Sequence, residues 1–173
     1  MSKLHIGGTA RVEGWEILNA VQAPYVDHVG NANDLSRFAD GSFSEVYASH
    51  VLEHFDFTGD ILTALREWNR ILQLGGILYV SVPDMDVLSK LFLNKVDLTV
   101  SERFLVMRMM FGAHSDAFDY HLIGLNEAFL GEYLRQSGFG LYRKIDEFCI
   151  FNDTSSMRFK GELISLNVVA IKP

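Results

Sequence analysis

Three short apolar runs crowd the start of the chain: Leu4–Ile6, Trp15–Leu18 and Tyr25–Val29, separated by eight and then six residues. If these runs are neighbouring parallel strands, the connections between them are too short for a crossover helix, which takes about a dozen residues or more. Extended chain can still make the return, because eight residues span roughly 26 Å at about 3.3 Å each. Such a start restricts the chain to a sheet that lacks part of its helical cover on one face.

The remainder alternates apolar runs with helical patterns, the signature of an α/β fold. Strands are predicted at Glu45–Ser49, Ile77–Val82, Leu141–Phe148 and Ile164–Lys172. Apolar residues at helical spacing predict helices over Asp60–Leu72 and Asn126–Gln136, with one or two more in Met85–Phe111. No repeat or linker interrupts the sequence. The reading is one domain over residues 1–173, with a helical, lid-like insertion at about 85–124.

Parallel strands covered on both faces usually read as continuous apolar runs. Here several alternate: Lys3 and His5 flank Leu4, Glu45 and Tyr47 flank Val46, and Ser165 and Asn167 flank Leu166. One sheet face is therefore half-polar. The sequence suggests that it is covered by the Met85–Phe111 helices or by a second copy of the chain, which would make a homodimer.

The formal net charge of −7, with no dense Lys/Arg run, gives little electrostatic support to nucleic-acid binding. No apolar run reaches membrane-spanning length, and the N-terminus lacks a long apolar core of the secretory type. A lone cysteine, Cys149, rules out an internal disulfide framework and fits a reducing compartment. The expectation is a cytoplasmic protein.

Gly7-Gly8 follows the first strand. The dinucleotide fingerprint needs G-x-G-x-x-G opening a helix, and Gly7-Gly8-Thr9-Ala10-Arg11-Val12 fails it. A nicotinamide or flavin dinucleotide is disfavoured, whereas a cofactor that needs only close backbone approach is compatible. Beyond the third strand, Asp34 could accept from an exocyclic amine and Leu35 could pack on a flat ring. The fourth strand runs out at Ser49-His50, with Glu53 and His54 at i+3 and i+4 from His50, at the carboxyl end of the sheet where open α/β folds bind ligands.

The segments YVDHVGNANDLSRFADGSFSEVYASHVLEHF and ALREWNRILQLGGILYVSVPDMDVL resemble the class I S-adenosylmethionine-dependent methyltransferases. The most specific pieces are ASHVLEH and LGGILYVSVPD. LHIGG with EGWEILN is similar to the family's first cofactor motif, and ISLNVVAIK to its last strand. The resemblance implies a Rossmann-like, mostly parallel sheet with an antiparallel last strand, and S-adenosyl-L-methionine as cofactor. It also implies that Ile6, Gly7 and Gly8 border the methionine part and that Asn19 stands where the family has a ribose-binding acid. Asn33, Asp34 and Leu35 match the adenine-contacting turn, and Ser49 and His50 match residues bordering the methyl donor.

Two departures stand out: the family's second glycine is Thr9 here, and Asn19 replaces the carboxylate. Restoring the acid with Asn19→Asp is expected to tighten cofactor binding, since charge-assisted hydrogen bonds are stronger.

Deprotonation of an oxygen or nitrogen acceptor calls for a base, and His50 and His54 are candidates. Asp84 and Asp86, just past the fifth strand, are candidate substrate contacts, with helix capping the competing role for Asp84. In FGAHSDAFDYHLIG, His114, Asp116, Asp119 and His121 lack tight structural-zinc spacing, so no metal is assigned. That loop reads as a substrate lid, with Tyr120 and His121 its best acceptor contacts and His121 a further catalytic candidate. The functional expectation is methyl transfer to a small-molecule or glycan-type acceptor. The alternative is a non-catalytic binding module with the same fold and a weakened pocket.

Overall fold

A computed structural model describes residues 2–115 and 117–173. Strands β1 (Ser2–Ile6), β2 (Trp15–Asn19), β3 (His28–Val29) and β4 (Phe43–Ser49) lead into helix α1 (Asp60–Ile71) and strand β5 (Leu72–Pro83). Helices α2 (Met85–Leu93), α3 (Val100–Phe111) and α4 (Glu127–Gln136) follow, then β6 (Leu141–Ile145), β7 (Arg158–Phe159), β8 (Glu162–Leu163) and β9 (Ser165–Ile171). Seven strands form one sheet in the order β3-β2-β1-β4-β5-β9-β6, while β7 and β8 make a small hairpin. The first five strands are parallel, and β9 runs antiparallel between β5 and β6. The mostly parallel α/β sheet with an antiparallel last strand is thus present.

The connections β1–β2, β2–β3 and β3–β4 contain no helix. Gly14, at φ +83°, and the bond from Trp15 N to Val12 O (3.1 Å) turn the first return without one. Strand β3 is shorter than the Tyr25–Val29 expected. The Asp27 carboxylate takes the Ile17 N–H at 2.9 Å, so a side chain replaces the next rung of the ladder. Strand β5 is longer than expected because it leaves α1 with no intervening loop.

On one face, Leu4, Ile6, Val46, Ala48, Leu78, Val80, Val168 and Ala170 pack against Ile61, Leu65 and Trp68 of α1 and Leu130 and Leu134 of α4. The 3.6-residue spacing of those helical residues lays them in one stripe, which is why these two segments are helices here. Helices α2 and α3 build a separate small core, in which Leu88, Leu91, Leu98 and Val106 meet Ile164, with Phe159 packed alongside.

The half-polar face is closed by residues that leave β6 early. Neither the α2–α3 pair nor a second copy is needed for the aromatic cluster that forms there. Phe151 packs on His5, Trp15 and Tyr47, and Phe148 on Tyr47 and Tyr79. Some polar atoms of this face find partners: Tyr47 OH donates to Asp153 Oδ2 (2.8 Å), and Asn167 Nδ2 donates to the carbonyls of Asp146 and Ser155 (2.8 Å each). Lys3 pairs with Glu45 at 2.7 Å. The bond to Asp146 explains why β6 stops at Ile145, short of the predicted Phe148.

His5 lies inside this cluster with Nδ1 unpartnered among the described residues. Burial, opposed by the Asp153 charge, holds its pKa down at about 4 from 6.5. The unfolded chain therefore takes up this proton first. His5 contributes full stability above about pH 6.5 and loses it as pH falls toward 4, a difference of about 3 kcal/mol. Urea unfolding at pH 7 and pH 4.5 should show the loss, and His5→Phe, which keeps a ring in the cluster, should remove most of it. An unchanged slope in His5→Phe would assign the acid sensitivity to other groups.

Candidate functional site

The carboxyl ends of β1 and β2 and the loop after β3 surround a cavity of about 430 Å³, with Ile6, Gly7, Leu18, Asn19, Gly30, Asn31, Ala32, Asn33, His50, Val51 and His54 in its wall. That volume lies in the range of small-molecule and cofactor sites. Gly7 sits at φ +76°, and a Cβ there would stand 2.7 Å from Val51, so glycine is required to bring the backbone this close. No helix begins at this turn, so no helix N-terminus is aimed at a pyrophosphate.

Asn19 explains its own presence. Its Nδ2 donates to Gly8 O at 3.2 Å, and its Oδ1 accepts from Val21 N at 3.0 Å. The amide joins the two loops that form the cavity floor, and only a group with both a donor and an acceptor can do so. One amide hydrogen and one oxygen lone pair remain for a ligand. An aspartate would set a carboxylate oxygen against the Gly8 carbonyl. The geometry therefore reverses the expectation that Asn19→Asp tightens binding.

Ile6, Gly7, Asn19, Asn33 and His50 line this cavity, whereas Gly8, Asp34, Leu35 and Ser49 do not. Gly8 serves the other face of the sheet, because a Cβ on it would meet the His5 ring at 2.7 Å. Asp34 is exposed and accepts from Ser36 N at 3.2 Å, an interaction that with the Ser36 hydroxyl lowers its pKa. Leu35 is wholly buried in the main core.

The loop carrying these residues has no helix of its own and is held from beneath by α1. Trp68 Nε1 donates to Ala32 O (2.8 Å), and Glu67 accepts from Leu35 N (3.1 Å). Arg70 donates to the carbonyls of Leu35 and Phe38 (2.9 Å each) while paired with Glu67 and Asp40.

A second cavity of about 310 Å³ adjoins α2, α3 and the loop after α3. Leu88, Leu105, Met109, Met157 and Ile164 give it apolar walls, and Arg108, Asp119, His121 and Thr154 add polar groups. His50 lines both cavities. It follows β4 at φ +53°, a backbone conformation uncommon outside glycine and often found at functional sites. Its Nε2 lies 2.9 Å from Ser165 Oγ, whose own hydrogen goes to Thr154 O at 3.0 Å. The hydroxyl oxygen must then accept from Nε2–H, which turns Nδ1 toward Glu53, 3.2 Å away.

Glu53 is 1% exposed, on a one-turn 3-10 helix at Leu52–His54. Burial pushes its carboxyl up, but the charges of His50 and His54 and the His50 contact outweigh this, and its pKa is lowered. Neither carboxylate oxygen accepts an aligned hydrogen bond from a described residue. His54 Nδ1 donates to Tyr120 O (3.0 Å) and His121 Nδ1 to Met110 O (3.3 Å); a carbonyl can only accept, so both rings carry hydrogen on Nδ1, and in the neutral ring Nε2 is the free nitrogen. Burial, opposed by Glu53, lowers the pKa of His121, leaving it neutral at pH 7. The structure thus brings His50, His54 and His121 together around a buried carboxylate. Glu53 was visible in sequence only as part of the i+3, i+4 pattern after His50; its burial was not.

The other candidates stand apart. Asp84 caps α2, accepting from Asp86 N (3.0 Å) and Val87 N (3.3 Å), and meets Lys144 Nζ at 3.3 Å. Asp86 accepts from Asn126 Nδ2 at 3.3 Å. Tyr120 stacks its ring on His114 with centroids 4.1 Å apart. Asp119 is spent within its own loop, on Ala113 N, Ser115 N and Ser115 Oγ, and Asp116 lies outside the described residues.

A family model described as a methyltransferase domain matches residues 15–80. Across 99% of its length the chain also superposes on solved structures. One is a chain of the Haloferax volcanii complex between the Trm112 methyltransferase activator and a methyltransferase (TM-score 0.59, 15% identity, 82% of that chain). Another is YcgJ from Bacillus subtilis (0.59, 15%, 91%). A third is 1,6-didemethyltoxoflavin-N1-methyltransferase from Burkholderia thailandensis, solved with 1,6-didemethyltoxoflavin and S-adenosylhomocysteine (0.59, 15%, 71%). The fold is that of the class I methyltransferases. No curated protein matches the sequence. The matched segment runs from β2 into β5 and contains most of the residues that line the larger cavity, together with His50 and Glu53. Both comparisons support a methyltransferase-type fold. No helix among the described residues is long and apolar enough to cross a membrane.

Proposed function

We propose that this chain transfers a methyl group from S-adenosyl-L-methionine, held in the larger cavity, to a small molecule held in the smaller one. The observation that carries this reading is that the two cavities meet at His50. When bound, the cofactor supplies a methyl group already activated by its sulfonium. The protein's share is then mainly alignment. Gly7 lets the backbone approach, Asn19 offers its remaining donor and acceptor to the ribose hydroxyls, and Asn31 and Asn33 border the adenine end.

On the acceptor side, a lone pair on oxygen or nitrogen forms the new bond to carbon as the carbon–sulfur bond breaks toward sulfur. The displaced proton goes to His121 Nε2, the free nitrogen of a neutral imidazole in that cavity. Apolar walls and one guanidinium, Arg108, suit a compact, largely apolar molecule bearing an oxygen or anionic group. A glycan fits less well, because its many hydroxyls would need more polar partners than these walls offer.

Calorimetry with S-adenosylmethionine and S-adenosylhomocysteine tests the cofactor half. Wild type should bind both. Asn19→Asp should bind about tenfold more weakly, since losing the bond to Gly8 O costs about 1–2 kcal/mol. Absence of heat with folded wild type would defeat the methyltransferase reading, and tighter binding by Asn19→Asp would defeat the role given to the amide.

A further inference from the structure

Glu53 poses a problem that methyl transfer does not solve. A carboxylate 1% exposed, with no aligned hydrogen bond to either oxygen among the described residues, is costly unless something charged completes it. His50 Nδ1 comes within 3.2 Å of one oxygen, and the second oxygen is left unmet. Around the same carboxylate, Glu53, His54 and His121 each offer one ligand atom, and these three atoms lie within 4.8 Å of one another. His121 Nε2 is 3.9 Å from Glu53 Oε1.

We propose that Glu53, His54 and His121 form a binding site for a first-row divalent cation such as Zn²⁺ or Co²⁺, at the junction of the two cavities. Two features beyond proximity point to a metal. Both imidazoles donate Nδ1–H to backbone carbonyls, of Tyr120 and Met110, so that the neutral tautomer of each presents its lone pair at Nε2. Backbone or carboxylate acceptors hold metal-binding histidines in the same way. The loop bearing His121 is also anchored to the carboxylate's own residue, because Leu122 N donates to Glu53 O at 2.8 Å.

Bond lengths of about 2.0–2.1 Å place tetrahedral ligand atoms about 3.4 Å apart, so closing the site takes side-chain shifts of about 1 Å. Two imidazoles and one carboxylate favour zinc-like ions over Mg²⁺, which demands oxygen ligands. Open coordination positions would face the cavities, since His54 lines the larger and His121 the smaller. An acceptor hydroxyl reaching such a cation would lose its proton more readily, with His121 then a ligand and not the base. That role rests on the proposed methyl transfer, but the binding site itself does not.

The test is titration of the full chain, first stripped with a chelator, with CoCl₂ and ZnCl₂ near neutral pH, followed by calorimetry and, for Co²⁺, visible absorption. Wild type should bind one equivalent, and a similar concentration of MgCl₂ should not displace it. Glu53→Gln and His54→Ala should each weaken binding by about 100-fold or more. His54 is only half-buried, so its variant keeps the test informative if Glu53→Gln fails to fold. No binding by wild type, unchanged binding in folded His54→Ala, or ready displacement by Mg²⁺ would each overturn the site. Cofactor calorimetry on the stripped protein separates the two readings: cofactor binding without Co²⁺ or Zn²⁺ binding would remove the cation site alone, and the reverse would remove the methyltransferase reading alone.

Discussion

His121→Ala should lower the rate of methyl transfer by about 10²–10⁴-fold while leaving S-adenosylmethionine affinity unchanged. The separation follows from placement, since His121 lines the smaller cavity and not the larger. The size is that of a lost general base, and it holds equally if the ring acts by binding a cation. The pH profile carries the same information. Burial lowers the His121 pKa below 6.5, so the wild-type acid limb should lie below that pH, with the rate rising as the ring loses its proton. Radiolabelled methyl transfer to any acceptor that wild type accepts, paired with cofactor calorimetry, checks both halves. A variant with weaker cofactor binding and an intact rate would move His121 out of the acceptor site.

Trp68→Ala should destabilise the protein by about 3–5 kcal/mol, the range for removing a large aromatic from a core. Trp68 is 0% exposed, its ring fills the layer between α1 and the sheet, and its indole N–H meets Ala32 O at 2.8 Å. The last contact ties stability to function, because Ala32 and Asn33 form a wall of the larger cavity. Where a helix would ordinarily follow β3, a bare loop is fixed by one helix beneath it. Denaturant unfolding measures the first effect. Cofactor affinity in Trp68→Phe, which keeps the ring and loses the hydrogen bond, measures the second and should fall. Unaltered affinity there would show that the loop holds its shape without the indole.

The fate of individual residues shows what can be read from a linear pattern. Asp34 and Leu35 occupy the position in the chain that the resemblance gives to an adenine contact, yet the first turns out to solvent and the second into the core. The loop itself lines the larger cavity through Ala32 and Asn33. Spacing could not fix which side chains face the ligand, since with no helix the loop's conformation is set by Glu67, Trp68 and Arg70, some thirty residues downstream. Asn19 is the opposite case. In sequence it looked like a weakened carboxylate, while in space its amide bonds a carbonyl and an N–H from two neighbouring loops.

Local chemistry by itself determined the class of fold. Apolar periodicity set the strands and helices, the short early connections removed the helices from two crossovers, and alternation marked one sheet face as half-polar. Each depends on residues near one another in the chain. Tertiary structure alone decided what covers that face and what surrounds Glu53. Phe148, Phe151, Asp153 and Ser155 reach Tyr47 across about a hundred residues, and His121 comes to Glu53 across nearly seventy. A carboxylate's burial, a histidine's free nitrogen and the meeting of two cavities depend on distances between remote segments, and no periodicity records those.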